Sequence, residues 1–390
     1  MVKVSRRRFL QAAGATLTTW GLHHRLDRHQ AVLAQSTPRK LAFIVGINTY
    51  RDAPLGGCVN DAILQQRLLI HRFGFHPNDV VLLLNENATR QNILDTFEEH
   101  LIKQAKPGDV AVFHFSGHGS LVRDPDPIFV DQYNRGFNGT FVPVDSHLPN
   151  DATIGGTVND IMGHTLFLLM AAIQTENFTA VLDSCFSGGA TRDITVRSRD
   201  VTEKITIAPQ EKAYQEDWLA RLDWNHDQFV QRYRRGIAKG VILAATQRHQ
   251  LAVDEQLPGF MAGAFSYRLT QHLWQTETNA QEAIARINEI IPPGYRQQPL
   301  WEAKPGTQNQ TAPMFFVNQP NPAADAVVVN ITQGQAAVLL VGIAPTAVTV
   351  GTVLRALNRG GRIRVTDRQG LVAMGQVQGR LQMGDVLRSA

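Results

Sequence analysis

Two short blocks carry residues that together could break an acyl bond: Val110-Ala-Val-Phe-His-Phe-Ser-Gly-His118-Gly119 and Phe178-Thr-Ala-Val-Leu-Asp-Ser-Cys185-Phe-Ser-Gly-Gly189. Each is an apolar stretch that runs straight into a reactive side chain, an imidazole in the first and a thiol in the second. A thiol with a pKa of ~8.5 is mostly protonated at neutral pH, so Cys185 needs His118 to take its proton or hold its anion. The same imidazole would then return a proton to the leaving amine. The tetrahedral oxyanion needs fixed donors, and the backbone N–H groups of Gly119 and Cys185 are the candidates. Gly119 also allows the backbone to approach a substrate closely. Ser116 stands where it could orient the imidazole.

For His118 and Cys185 to meet, both blocks must belong to one sheet. A short apolar run bounded by Gly and polar residues reads as a buried strand of a parallel sheet, and in open α/β sheets chemistry gathers beyond the carboxyl ends of such strands. The rest of the chain alternates accordingly. Residues 41–47, 80–84, 110–116, 178–183 and 240–245 read as strands. Residues 60–73, 89–105, 163–175, 264–275 and 280–290 read as helices, the second capped by Asn87 or Thr89, and 313–317 completes the pattern. That alternation implies an α/β fold with a mostly parallel sheet covered on both faces.

These blocks resemble the caspase-type cysteine peptidases, in detail the metacaspases and orthocaspases. The matching residues are Ser116-Gly-His118-Gly119, Asp183-Ser-Cys185-Phe-Ser-Gly-Gly189 and, upstream, Leu55-Gly-Gly-Cys58-Val-Asn-Asp61-Ala62. The similarity runs over 41–317. Phe186 departs from it, since these families often carry a second His there, next to the nucleophile but not acting as the base. The resemblance implies a caspase-like three-layer sandwich at 40–318, with a large-subunit-like part at 40–190, a linker at 191–239 and a small-subunit-like part at 240–318. It also implies that Asp61 and Asp183, with Cys58 and Ser116, bind the substrate side chain in a pocket that favours Arg or Lys, since a buried carboxylate is stable only when paired. A helix cap beside Asn60 is the other reading of Asp61. True caspases hold Asp with Arg groups, and no equivalent motif is present. No cofactor is required by this chemistry. Many metacaspases respond to calcium, and Asp145 resembles one ligand position, with Asp160 and Asp193 as looser matches; calcium wants six to eight oxygens.

At 390 residues the chain holds more than one unit, and 43% hydrophobic residues argue against dominant disorder. The net charge of +4 is carried by residues 1–35, which hold Lys3, Arg6, Arg7, Arg8, Arg25 and Arg28 against Asp27. The excess therefore reads as a targeting signal and excludes a nucleic-acid footprint. Ser5-Arg6-Arg7-Arg8-Phe9-Leu10 and the mildly apolar run after it read as a twin-arginine export signal, cut after Val32-Leu-Ala34, with a disordered basic terminus as the alternative. No segment has the apolar length of a membrane span, and export would deliver the chain to the periplasm or another extracytoplasmic compartment. Cys58 and Cys185 are the two cysteines. The Gly-flanked setting of Cys185 suits a nucleophile better than a staple, and Cys58 suits a structural place lining the cleft.

The 191–239 stretch is rich in arginine, including Arg192, Arg197, Arg199 and Arg221. In a peptidase that prefers basic residues it is a target for self-cleavage; alternatively it is a solvated insertion with a helix over 211–234. After Pro322 the texture turns to short β-type runs at 326–332, 336–341, 347–357, 362–367 and 371–377, separated by glycines. They predict a small all-β domain at 323–390, a barrel or sandwich, binding a partner, a cell-envelope component or the first domain. Taken together, the sequence predicts a cysteine endopeptidase that cleaves protein substrates after Arg or Lys by a Cys185–His118 dyad. A catalytically inactive scaffold is the rival, and an esterase using Ser184 or Ser187 lacks the Gly-x-Ser-x-Gly elbow.

Overall fold

The structure, a computed structural model, describes residues 38–130, 132–185, 195–199, 203–247 and 250–390. The expected export signal lies outside the described residues, as do Phe186, Ser187, Gly188, Gly189 and Asp193.

In chain order the first strands are β1 (Lys40–Gly46), β2 (Val80–Leu84), β3 (Val110–Ser116), β4 (Gly119–Arg123), β5 (Phe137–Phe141), β6 (Gly156–Val158), β7 (Ile161–Met162) and β8 (Asn177–Asp183). They are followed by β9 (Ile205–Ile207), β10 (Val241–Ala244), β11 (Asp254–Leu257), β12 (Phe260–Gly263) and β13 (Leu300–Ala303). A six-stranded sheet runs β13-β10-β8-β3-β1-β2. All of its neighbours pair in parallel except β13, which lies antiparallel on β10.

Alternating residues of one strand feed two cores, as the two-residue period of a strand requires. Ala42 and Ile44 join a cluster with Leu64, Leu68, Phe265 and Leu269. Leu41, Phe43 and Val45 join another with Leu94, Phe97, Leu168 and Trp218. Helices α1 (Cys58–Arg67), α6 (Ala264–Gln275) and α7 (Ala280–Ile290) therefore cover one face, and α2 (Arg90–Thr96), α3 (Gly163–Ala172), α4 (Pro209–Arg221) and α5 (His226–Arg234) the other. The expected three-layer sandwich is present. Helix α2 is capped by the Thr89 hydroxyl, which accepts the Asn92 N–H.

Two local expectations change. The 313–317 segment is apolar like a strand, but it forms a 3-10 turn at Met314–Phe316 with positive φ at Phe315 and Phe316; the sheet ends instead in β13. The single helix over 211–234 is two, because Asp223 takes a φ of 54° and Asn225 starts α5 with a capping box. Their buried Trp218 and Phe229 pack on the sheet face, so this part of the linker is built into the fold. A smaller sheet, β6-β9-β4-β5-β7, flanks the carboxyl end of β3 and carries linker strand β9.

The C-terminal unit is a closed barrel of β14 (Ala326–Thr332), β15 (Gln335–Leu340), β16 (Val353–Ala356), β17 (Arg362–Gln369), β18 (Val372–Gln378) and β19 (Val386–Ser389). Val338, Leu340, Ile363 and Val365 fill it, and β19, unforeseen in the sequence, closes it by pairing with both β14 and β16. Outside the barrel, Val327, Leu339 and Leu371 share a core with Leu273 and Trp274 of α6, and the Gln275 amide donates to the Gly342 carbonyl at 2.7 Å. Among the described residues no helix is long and apolar enough to cross a membrane.

Candidate active site

Strands β3 and β8 are paired with Ser116 opposite Asp183, so the residues that follow them leave the sheet side by side. His118 comes two residues after one strand and Cys185 two after the other. A methyl group at Gly119 would collide with the Cys185 carbonyl, which is why this turn demands glycine. The His118 imidazole is held from two sides. Its Nε2–H donates to the Ala53 carbonyl at 2.7 Å, its backbone N–H donates to the Tyr50 hydroxyl at 3.0 Å, and the Tyr50 ring lies 4.5 Å from its own. The Ala53 bond fixes the tautomer. Nδ1 is then the basic nitrogen, buried and without a hydrogen-bond partner among the described residues.

Cys185 is buried, its Sγ accepting the Ala252 N–H at 2.7 Å. Burial pushes its thiol up to about 12. Burial also lowers His118 to about 4, with the Arg197 and Arg199 guanidiniums adding to the effect. In this arrangement both groups are neutral at pH 7. Cys58 and Cys185 are free, and Cys58 is buried in the cluster that holds Tyr50 and Leu55.

The 195–199 segment runs beside the turns that carry His118 and Cys185. The Arg197 carbonyl accepts the Gly119 N–H at 3.0 Å and the Cys185 N–H at 3.1 Å, so it sits on both expected oxyanion donors. Upstream, the Arg197 N–H donates to the Ala252 carbonyl and the Asp254 N–H to the Thr195 carbonyl, each at 2.9 Å, with Val196 bridging antiparallel to Val253. Downstream, the Arg199 N–H donates to the Gly119 carbonyl at 2.9 Å.

The Arg197 side chain is fully buried. Its Nη2 lies 2.7 Å from Asp61 and 2.8 Å from Asp254, and its Nη1 lies 3.1 Å from Asp183 and donates to the Ser116 hydroxyl at 2.7 Å. Each carboxylate is braced from behind by backbone donors: Gly263 on Asp61, Ser266 on Asp183, Gly56 and Gly57 on Asp254. Asp61 is no helix cap. Gly57 is the N-cap of α1, and Asp61 stands in its first turn facing the pocket. Burial raises Asp61 to about 6, with the Arg197 charge pulling it down and the Asp183 charge adding to the rise. Ser116 therefore belongs to the pocket rather than to the imidazole; it donates to Asp61 at 2.8 Å, and Tyr50 and Ala53 orient His118.

Asp145 and Asp160, the two described residues expected to bind calcium, both have protein partners. Asp145 accepts the Arg90 N–H at the start of α2. Asp160 accepts the Thr140 and Ser146 hydroxyls, each at 2.6 Å, and pairs with Arg199. Among the described residues, which do not include Asp193, no group of three or more His, Cys, Asp or Glu is placed to hold a metal ion.

A family model described as a caspase domain matches residues 39–310. The chain belongs to the caspase domain family. Among curated relatives of this caspase-domain chain, Metacaspase-1 of Schizosaccharomyces pombe is 26% identical over 67% of this chain and 66% of its own length. Metacaspase-1 of Meyerozyma guilliermondii is 34% identical over 40% of this chain and 37% of its own, and that of Plasmodium falciparum 34% over 39% and 24%. The chain thus spans from a quarter to two thirds of the length of these relatives. Of solved structures, the protein GSU0716 from Geobacter sulfurreducens matches at 19% identity, covering 72% of this chain and 100% of that one with a TM-score of 0.48. Caspase-1 from Spodoptera frugiperda matches at 12% identity, covering 72% and 94%, with a TM-score of 0.37. The metacaspase and caspase resemblance read from the two motif blocks is borne out at the level of family.

Three site residues were not singled out for their roles in the sequence. Asp254 carries no motif, Tyr50 follows β1 in an ordinary loop, and Arg197 is one arginine among many in the linker. A sequence signal exists for none of them until 195–197 and 252–254 are known to pair.

Proposed function

We propose that this caspase-domain chain is a cysteine endopeptidase that cleaves after Arg, and after Lys as the smaller cation, and that the Arg197–Ser198 bond is its own first substrate. The observation that carries this reading is the double placement of Arg197: its guanidinium sits among Asp61, Asp183 and Asp254 while its carbonyl oxygen sits on the N–H groups of Gly119 and Cys185. A substrate carbonyl about to be attacked needs both.

In this mechanism Nδ1 of His118 takes the thiol proton and the sulfur adds to the carbonyl carbon, forming the C–S bond. The oxyanion is held by the two backbone donors. As the tetrahedral species collapses, the C–N bond breaks and His118 passes its proton to the departing amine. Water, deprotonated by His118, then splits the thioester to a carboxylic acid and restores the thiol. An Asp in place of Arg would add a fourth carboxylate to a buried site that holds three, which excludes it. Export of the chain by its twin-arginine-like terminus is part of the same proposal, and calcium enters none of its steps.

The test uses fluorogenic peptides ending in Arg, Lys or Asp, beside a Cys185→Ala control, together with mass spectrometry of the incubated full chain and a chelator arm. Cleavage after Arg and Lys, lost in the control, and a new amino terminus at Ser198 are the expected results. Cleavage after Asp, or a self-cleavage site elsewhere with an intact Arg197–Ser198 bond, would overturn the assignment.

A further inference from the structure

Two residues beyond Arg197, Arg199 meets a buried carboxylate outside the first pocket. The Arg199 N–H donates to the Gly119 carbonyl at 2.9 Å, and the Ser120 hydroxyl donates to the Arg199 carbonyl at 3.1 Å. Arg199 is thus in fixed register with the same Gly119 whose N–H faces the Arg197 carbonyl. Its guanidinium reaches Asp160, with Nη2 at 2.5 Å from Oδ2, while Nη1 donates to the Ser146 carbonyl and hydroxyl, each at 3.3 Å. Asp160 is fully buried and its two oxygens are ordered by the Thr140 and Ser146 hydroxyls. The Arg199 side chain is itself only about a tenth exposed. This is the construction used for the first pocket, a buried carboxylate braced by neutral donors and completed by one guanidinium.

We propose that Asp160, with Ser146, is a second specificity site of the peptidase, which selects substrates bearing Arg at the second position after the scissile bond. The inference rests on Arg197–Ser198 being the bond presented for cleavage. Its physical basis is the state of Asp160 when no cation is bound: a buried charge with two hydroxyl donors and, among the described residues, no other counter-charge, a costly arrangement that an incoming guanidinium relieves. A neutral side chain leaves that cost in place, and Asp or Glu adds like-charge repulsion. Arg fits better than Lys, because the fork spans Asp160 and the Ser146 oxygens together, which a single ammonium does not. Asp160 makes no hydrogen bond to His118 or Cys185 among the described residues, so its effect is on selection and alignment of the peptide.

The experiment uses the full chain carrying Arg197→Ala and Arg199→Ala, so that the linker fills neither pocket. Internally quenched peptides with Arg before the bond carry Arg, Lys, Ala or Glu at the second position after it. The ratio of kcat/KM for Arg over Ala is expected to be about tenfold or more, the contribution of one charge-assisted hydrogen bond, with Glu below Ala. Adding Asp160→Asn, which still accepts from one hydroxyl, is expected to bring the ratio to about one while the requirement for Arg before the bond persists. A purely structural Asp160 would lower all four rates together and leave the ratio unchanged. A ratio near one in the Asp160-containing chain overturns the second site while the proposed peptidase stands. Absence of cleavage in every peptide overturns both.

Discussion

Asp254→Asn tests the first pocket through a residue that no motif announces. Asp254 accepts Gly56 N–H on Oδ2 at 2.7 Å, Gly57 N–H at 3.1 Å and Arg197 Nη2 at 2.8 Å on Oδ1. An amide has one oxygen, so whichever way Asn is turned, its NH2 faces a donor: the Gly56 N–H or the incoming guanidinium. Removing one partner of a buried charge pair costs about 2–5 kcal/mol. Because Asp61 and Asp183 remain, the lower end applies, about 2 kcal/mol, or a loss of roughly thirtyfold in kcat/KM. The assay is hydrolysis of an Arg peptide against its citrulline counterpart, which keeps the shape without the charge, in an Arg197→Ala background that weakens competition by the linker. The Arg preference should shrink by that factor, while citrulline hydrolysis changes little. An Arg-to-citrulline ratio within threefold of the parent would refute the idea that the carboxylates, rather than shape, select the substrate.

Gly263→Ala would place a methyl group against the Asp183 carboxylate and 2.6 Å from Arg197 Nη1, so it should abolish cleavage of Arg peptides while circular dichroism still shows the native fold. Alkylation of Cys185 by iodoacetamide should be slow in the uncut chain, where the thiol is buried and its pKa is about 12, and at least about tenfold faster in Arg197→Ala, where the segment loses its anchor; equal rates would contradict the covering role of 195–199. Asp61 supplies a pH dependence. Its pKa in the fold is raised to about 6, so its neutral form is favoured there: its contribution to stability is complete below the usual carboxylate range and is lost as pH rises through about 6. Cation binding has the opposite sign, so in an Arg197→Ala chain, where the guanidinium that pulls Asp61 down is gone, kcat/KM for Arg peptides should fall as pH drops, with a midpoint above about 6, whereas Asp61→Asn should be low throughout and lack that limb.

His118 and Cys185 were legible as a candidate pair because their chemistry and their scaffold are both local. Strands β1, β3 and β8 are buried on both faces, and a strand so placed must be apolar along its whole length; the reactive His and Cys stand out immediately after. The pocket was half legible. Asp61 and Asp183 lie beside the motif blocks, but Asp254 enters from far along the chain, and its partner Gly56 is 198 residues away. Nothing local distinguishes Arg197 from Arg199 or Arg221; the difference lies in which backbone meets Gly119. Strand β13 was hidden because it is an only partly covered edge. Residues 313–317 misled in the other direction: they are apolar because Met314 and Phe315 are buried, yet a proline at the start and left-handed φ values at Phe315 and Phe316 exclude a strand. In the barrel, β19 is four residues long with two of them exposed, too short for alternation to show.

The proposed cleavage of Arg197–Ser198 should not by itself open the site. Arg197 would remain joined to Cys185 through the 186–196 stretch, and after such a cut its guanidinium should keep the same three carboxylates. A group on so short a tether competes at an effective concentration on the order of millimolar. The cut wild-type chain should therefore act as its own competitive inhibitor toward peptides, with an apparent KM raised and kcat unchanged, while Arg197→Ala, which cannot be cut there, should show the lower KM. A second cut upstream, at Arg192 for example, would release the tether and lower the KM of the wild type toward that of the variant. If freshly cut wild-type chain, verified by mass spectrometry to retain residues 186–197, instead shows a KM equal to or below that of Arg197→Ala, the pocket does not hold Arg197 after cleavage. The three carboxylates would then recognise the arginine through the intact peptide bond and release it as the carboxylate forms, the negative charge of the product being expelled by Asp183 and its neighbours.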